Sequence, residues 1–248
     1  MTAPKEVVRL AAIADLHYPK LPPEKLQPLL EQITQQADVL LLCGDLTDYG
    51  RPEEAQGLAR TLAAHVKIPM LGVLGNHDFE SGHDQEVCKA LTEAGVHLLD
   101  GDMCEVYGIG FAGVKGFAGG FGQYALQPWG EAAVKHFVHE AVNEALKLES
   151  ALAKLRTPQR VALLHYSPIQ QTVQGEAPEI FPFLGSSRLE EPLNRYGVTA
   201  IFHGHAHNGS PEGHTTGGIP VYNVAMPLLQ KVFPDRPQFR AVDIPVGP

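Results

Sequence analysis

Along the chain, short runs of consecutive apolar residues alternate with longer stretches in which apolar positions recur every three or four residues. The short runs, at residues 7–14, 39–43, 70–74, 161–164, 199–202 and 221–225, predict strands. The periodic stretches, at 24–36, 52–65, 83–94, 131–155 and 188–196, predict helices. Pro52 suits the first turn of its helix, where Glu53 and Glu54 complement the dipole. Strands alternating with helices predict an α/β fold. Between residues 96 and 114 the runs shorten and Gly108, Gly110 and Gly113 enter, which predicts a hairpin or meander. Residues 115–130 and 167–187 read as long loops, which in a compact domain are usually functional or mobile.

In the longest periodic stretch, Val134, Val138, Ala141, Ala145, Leu148, Leu152 and Leu155 are spaced alternately by four and three. Such a seam either joins two chains as a coiled coil, giving a homodimer, or lays one helix on a sheet. A run of only about three heptads favours the sheet.

The chain has 248 residues and is 44% apolar, enough to bury a substantial core in one domain over residues 1–248. Lys and Arg number 19 against 28 Asp and Glu, a formal charge of −9. That balance lacks the basic footprint of a nucleic-acid binder, so no long nucleic acid is expected as a partner. No apolar run reaches the roughly 18 residues of a membrane span. The first ten residues carry Lys5, Glu6 and Arg9 in place of the apolar centre of a signal peptide. Cys43, Cys88 and Cys104 form no CxxC pair and read as buried thiols. A cytoplasmic protein without a membrane partner is the expectation. The composition is unusual in its 12 histidines, because imidazole is the commonest metal-ligating side chain.

Five of those histidines, besides His203, follow predicted strands. The first strand ends in Asp15-Leu16-His17, the second in Gly44-Asp45-Leu46-Thr47-Asp48, and the third in Gly75-Asn76-His77-Asp78. The fourth ends at His165, and the fifth at His203-Gly204-His205-Ala206-His207. In α/β folds the loops at the carboxyl ends of strands converge on one crevice. Carboxylates, imidazoles and an amide gathered there have the composition of a metal site. Each motif alone is weak, but the ordered set is specific.

In that order the motifs resemble the calcineurin-like metallophosphoesterase family, whose pattern is D-x-H, GD, GNH[DE], H and GHxH. The match runs from Asp15 to His207. The resemblance implies a four-layer α-β-β-α sandwich of two mixed sheets, with a dinuclear metal site at the strand ends. It implies one ion held by Asp15, His17, Asp45 and His207. A second would be held by Asp45, Asn76, His165 and His205, with Asp45 bridging. These ligands suit Mn, Fe or Zn without selecting among them. His77, which adjoins a ligand, is implied as the acid that protonates the leaving oxygen. A carboxylate is expected to orient it, Asp48 first on the GDxxD spacing and Asp78 second; a local cap is the other reading of Asp78.

Two divalent ions with only Asp15 and Asp45 as anionic ligands would keep a net charge of about +2. A phosphate ester is then attracted despite the acidic protein, and a water between the ions would lose its proton and attack phosphorus. His65, His83, His97, His136 and His139 are expected to be solvated, His203 to stand behind the ligands, and His214 to lie in a turn.

Tyr49 stands where the serine/threonine protein phosphatases of the superfamily have Arg, and Asp78 replaces their Glu. The segment 44–50, with Asn76-His77-Asp78, looks more like class III cyclic nucleotide phosphodiesterases. The expected reaction is hydrolysis of a cyclic nucleotide or related small phosphodiester. A phosphomonoesterase or nucleotide pyrophosphatase is the alternative among enzymes. A non-catalytic scaffold that keeps the fold is the alternative of another class, and the complete set of ligands weighs against it. Phe117, Phe121, Tyr124, Trp129, Phe181 and Phe183 either pin the two loops to the core or stack on a nucleobase, and the first is favoured.

Overall fold

In the computed structural model, which describes residues 5–246, two β-sheets face each other and helices cover both outer sides. The first sheet runs in the order β11 (Arg240–Pro245), β1 (Val7–Ile13), β2 (Val39–Cys43), β3 (Met70–Val73) and β4 (Val96–Leu98). All its pairings are parallel except β11 with β1. The second runs β5 (Asp102–Val106), β6 (Ile109–Gly113), β7 (Gln159–Leu163), β8 (Ala200–His203), β10 (Pro220–Asn223) and β9 (Glu212–His214). Here the central pairings are parallel, and β5 and β9 are antiparallel edges.

The continuous apolar runs follow from burial on both faces. Val8, Leu10 and Ala12 of β1 and Val39, Leu41 and Cys43 of β2 point between the sheets, onto Phe111, Val161, Leu163 and Phe202. The intervening Ala11, Ile13, Leu40 and Leu42 point outward, onto Leu30, Ile33, Leu58, Leu62 and Leu91. Those come from α1 (Pro23–Gln36), α2 (Pro52–His65) and α3 (Asp84–Glu93). On the far side Ala112, Ala162 and Ile201 pack against Leu148, Ala151 and Leu152 of α4 (Ala132–Lys154) and Leu193 of α6 (Glu190–Arg195). Three apolar layers therefore separate four layers of structure, which is the expected α-β-β-α sandwich. At the start of α2, Glu54 Oε2 accepts the backbone N–H of Tyr49 and of Arg51.

The seam of α4 turns inward: Leu148 and Leu152 pack on the second sheet, Val138 and Ala141 are also buried, and Val134 and Ala145 are half-buried. Three details differ from the sequence pattern. Residues 96–114 do not form one meander, because β4 pairs with β3 in the first sheet while β5 and β6 form a hairpin in the second. The two long loops hold short helical turns and α5 (Phe181–Leu184). Finally β9, β11 and α7 (Met226–Val232) carry no clear apolar run; β11 leaves most of its residues partly exposed, and its Asp243 pairs with Arg9 at 2.6 Å. Cys43 is buried, whereas Cys88 and Cys104 are only partly so, and all three are free thiols.

Candidate metal centre

Every motif residue lies just beyond the carboxyl end of a strand: Asp15 and His17 after β1, Asp45 and Asp48 after β2, Asn76 and His77 after β3, His165 after β7, and His205 and His207 after β8. The sheets are tied together here, where Ala14 N–H donates to the Val224 carbonyl and Met226 N–H to the Ala14 carbonyl. The backbone turns sharply at the ligands. Asp15, His17, Asp45 and His205 have φ of 59°, 43°, 50° and 69°, four of the five non-glycine residues with positive φ among those described. Each such residue costs about 1–3 kcal/mol, and strain of this kind collects at functional sites.

Two glycines are fixed by how closely the site closes. Gly44 has φ +85°, and a Cβ there would lie 2.5 Å from the His165 ring. A Cβ on Gly75 would lie 2.2 Å from Asp45 Oδ1 and 2.3 Å from Asp45 N. Both strand ends need glycine because Asp45 and His165 occupy the space a side chain would take.

Three groups of side chains could each hold an ion; one, His17, Asp45 and His77, includes the expected acid, and the other two consist of expected ligands alone. In the first of these two, Asp15, His17 and His207 have ligand atoms within 4.8 Å of one another. His207 Nε2 is 2.9 Å from Asp15 Oδ1, and His17 Nε2 is 4.0 Å from Asp15 Oδ1 and 3.8 Å from Asp45 Oδ2. Both ring nitrogens of His17 are buried without a hydrogen-bond partner. The gaps around Nε2 are too long for hydrogen bonds. They match ligands that share one ion, each about 2.1 Å from it. The donor set therefore fits a divalent metal.

The second group is Asp45, His165 and His205. His165 Nε2 lies 2.9 Å from Asn76 Oδ1 and 3.3 Å from Asp45 Oδ1, while its Nδ1–H donates to the Cys43 carbonyl at 3.0 Å. That bond fixes the tautomer and leaves Nε2 as the ligand atom. His205 is held in the same way, its Nε2–H donating to the Phe183 carbonyl at 3.2 Å. Burial alone would lower the His165 pKa, but the Asp45 carboxylate outweighs it and raises the imidazole to about 9. Burial likewise opposes the charge of Asp45, and His165 overcomes it, so Asp45 remains ionised. Burial takes His205 down to about 4, leaving it neutral and able to donate a lone pair. The structure thus brings all seven expected ligands together.

His77 stands against His17 with ring centroids 4.5 Å apart, and its backbone N–H donates to Asp45 Oδ1 at 2.8 Å. Its side chain is 32% exposed, against 12% for His17 and 0% for His165, so among these three it is the imidazole most open to an arriving molecule. The expected carboxylate does not orient it. His77 Nδ1–H instead donates to the backbone carbonyl of Asp48 at 2.6 Å. The Asp48 carboxylate faces His17, with Oδ1 3.4 Å from Nδ1, and pairs with Lys20 at 2.8 Å. Asp78 does not reach His77 through its carboxylate either. It accepts the N–H of Gly75, Leu46 and Thr47 and the Thr47 hydroxyl, which bolts the third strand end to the second.

Among the other histidines, His83, His97, His136, His139 and His214 are exposed, and His65 is partly buried against Glu31. His203 is fully buried behind the ligands, with Nδ1–H donating to the Gly204 carbonyl and Nε2 bonded to the Thr172 hydroxyl. Lys20, Lys115 and Tyr166 reach the surroundings of the site without having been singled out. Lys115 follows β6, which ends at the same edge as β7, a placement that depends on β6 pairing in parallel with β7.

The calcineurin-like phosphoesterase family matches residues 8–209. The chain belongs to the calcineurin-like phosphoesterase family, hydrolases that use divalent metals to cleave phosphate esters. Among solved structures, phosphopantetheinyl hydrolase from Mycobacterium tuberculosis is similar at a TM-score of 0.68 and 18% identity, covering 94% of this chain and 95% of that one. GAP50, the anchor in the inner membrane complex of Plasmodium, is similar at 0.55 and 14%, over 90% and 73%. A putative 5'-nucleotidase from Staphylococcus aureus is similar at 0.51 and 14%, over 88% and 48%. No curated protein matches the chain. Among the described residues no helix is long and apolar enough to cross a membrane.

Proposed function

We propose that the chain is a single-domain phosphodiesterase acting on a small phosphodiester, with a cyclic nucleotide or a related nucleotide ester as the substrate class. The observation that carries this reading is the buried His17 imidazole, unpartnered at both nitrogens between two carboxylates. Asp15, His17, Asp45 and His207 would hold one ion, and Asp45, Asn76, His165 and His205 the other. When bound, the ions supply Lewis-acid polarisation of the phosphoryl group and an activated water.

The protein's own groups supply the rest. With Nδ1–H committed to the Asp48 carbonyl, His77 offers Nε2 to give a proton to the leaving oxygen. Asp48 orients His77 through its backbone carbonyl, while its carboxylate lies 3.4 Å from His17 Nδ1 without a hydrogen bond to it. The bolt formed by Asp78 keeps the second and third strand ends in register, so that Asp45 and His77 keep their relative positions.

The test is a panel assay with Mn²⁺, Fe²⁺ or Zn²⁺ on cyclic nucleotides, dinucleotides, nucleoside diphosphate esters, phosphomonoesters and a phosphopantetheinyl diester. The last is included because of the likeness to phosphopantetheinyl hydrolase. Highest turnover on a diester supports the proposal. Preference for a monoester or a pyrophosphate bond replaces it with the corresponding activity. Inactivity on all substrates, with no metal bound, favours a scaffold of the kind that the word anchor describes for GAP50.

A further inference from the structure

Beside the second ligand group lies an ammonium with no carboxylate partner. Lys115 Nζ sits over three aromatic rings, 5.0 Å from the Phe117 centroid, 5.3 Å from Tyr166 and 5.7 Å from Phe79. Its one hydrogen bond goes to the Gly116 carbonyl at 2.9 Å. Among the described residues no carboxylate lies within ion-pair distance of it. Glu144, buried behind the loop, is already committed to the Gly116 N–H at 2.8 Å and to Lys147 at 2.7 Å.

The position of this cation relates it to the site. The Lys115 carbonyl accepts the backbone N–H of both His165 and Tyr166 at 3.0 Å. The Tyr166 ring lies 4.5 Å from the His205 ring, so the ammonium is at most the sum of 5.3 and 4.5 Å from that ligand. Phe79 closes the turn that begins at His77. The ammonium therefore stands between the turn that carries the acid and the His165–His205 side of the centre.

A lysine ammonium has three donors, and two remain here. Withdrawing a cation from water is costly; Glu144 and Glu140, beyond ion-pair distance, and three ring faces offset only part of that cost. An anion completes the arrangement, and one arriving with the substrate would be held next to the reacting centre. We propose that Lys115 is the specificity residue for a second anionic group on the substrate, a phosphate or carboxylate carried near the scissile phosphoryl group. The inference rests on the hydrolase reading and narrows it to phosphate esters with two anionic groups.

Two nitrophenyl esters that differ only in this group separate the ideas. One is the 5'-(p-nitrophenyl phosphate) of thymidine, and the other is the same ester with an added 3'-phosphate. The wild-type protein loaded with Mn²⁺ should prefer the second by tenfold or more in kcat/KM. Lys115→Met should lose roughly 10- to 100-fold on the second and change less than about threefold on the first, since a charged hydrogen bond contributes about 1.5–3 kcal/mol. Lys115→Arg should recover most of the loss. Activity on both esters without preference in the wild type overturns the Lys115 inference alone, as does an equal loss on both in Lys115→Met. Inactivity of the wild type on both overturns the hydrolase reading, and the inference with it.

Discussion

Replacing Gly75 by alanine tests whether the close packing of the second and third strand ends builds the metal centre. The added methyl would meet Asp45 Oδ1 at 2.2 Å and Asp45 N at 2.3 Å, with His165 Cε1 at 2.8 Å. Ordinary contact begins at 3.4 Å, so the strand end carrying Asp45 must retreat by about 1 Å. The obstacle includes backbone, which cannot swing aside as a flexible side chain can. Overpacking of this kind costs about 1–3 kcal/mol, or a fall in Tm of about 2–12 °C for a chain of this size. The functional loss should be larger, because a misplacement of about 1 Å in a reacting site costs on the order of 100-fold. Gly72→Ala, earlier on the same strand, is the control. Its Cβ would lie 3.3 Å from Leu42 Cβ and Val96 Cγ1, a contact relieved by a few tenths of an ångström. Thermal unfolding, metal content and kcat on bis-p-nitrophenyl phosphate should separate the two variants. Wild-type metal content and turnover in Gly75→Ala would refute the packing argument.

Other outcomes follow from the same geometry. His77→Ala should keep its metal content and lose about 10²- to 10⁴-fold in kcat, whereas Asp45→Ala should lose both; elemental analysis beside the assay distinguishes them. Asp38 is raised by its partial burial and lowered more by Lys5 and by the Arg9 N–H, so its pKa is depressed in the folded protein. Its contribution to stability is present above the ordinary carboxylate pKa near 3.9 and is lost as pH falls through the lower folded value. Urea midpoints of wild type and Asp38→Asn should differ at pH 7 and converge towards pH 2, and a gap that persists there contradicts the assignment. Cys43, fully buried with its thiol pKa pushed far up, should resist alkylation at pH 8 in the native protein; burial also raises Cys88, and Cys104 to about 11, so partly exposed Cys88 should react first and Cys104 slowly. Mass mapping of the modified thiols reads this directly.

The core of the fold was visible because strands buried on both faces need unbroken apolar runs, as β1 and β2 show in sending alternate residues into two different cores. The assignment of β4 to the first sheet was not visible, since a strand of three residues gives no indication of which sheet it joins. The candidate ligands stood out because histidine and aspartate after a strand are chemically conspicuous. The support of His77 was hidden for the opposite reason. It comes from the Asp48 carbonyl, and a backbone contact leaves no mark on residue type. Lys115 was overlooked because its strand sat inside a stretch read as a meander, so its place at the shared edge appeared only with the topology.

The central claim is that the two ligand groups hold two ions which together hydrolyse a phosphodiester. Its most direct test is a titration of the metal-free protein with Mn²⁺ while hydrolysis of bis-p-nitrophenyl phosphate is followed. The account predicts that turnover is absent without metal and reaches its plateau at two ions per chain. Turnover that is already full in the metal-free protein, or that never appears as Mn²⁺, Fe²⁺ or Zn²⁺ is added, would contradict it.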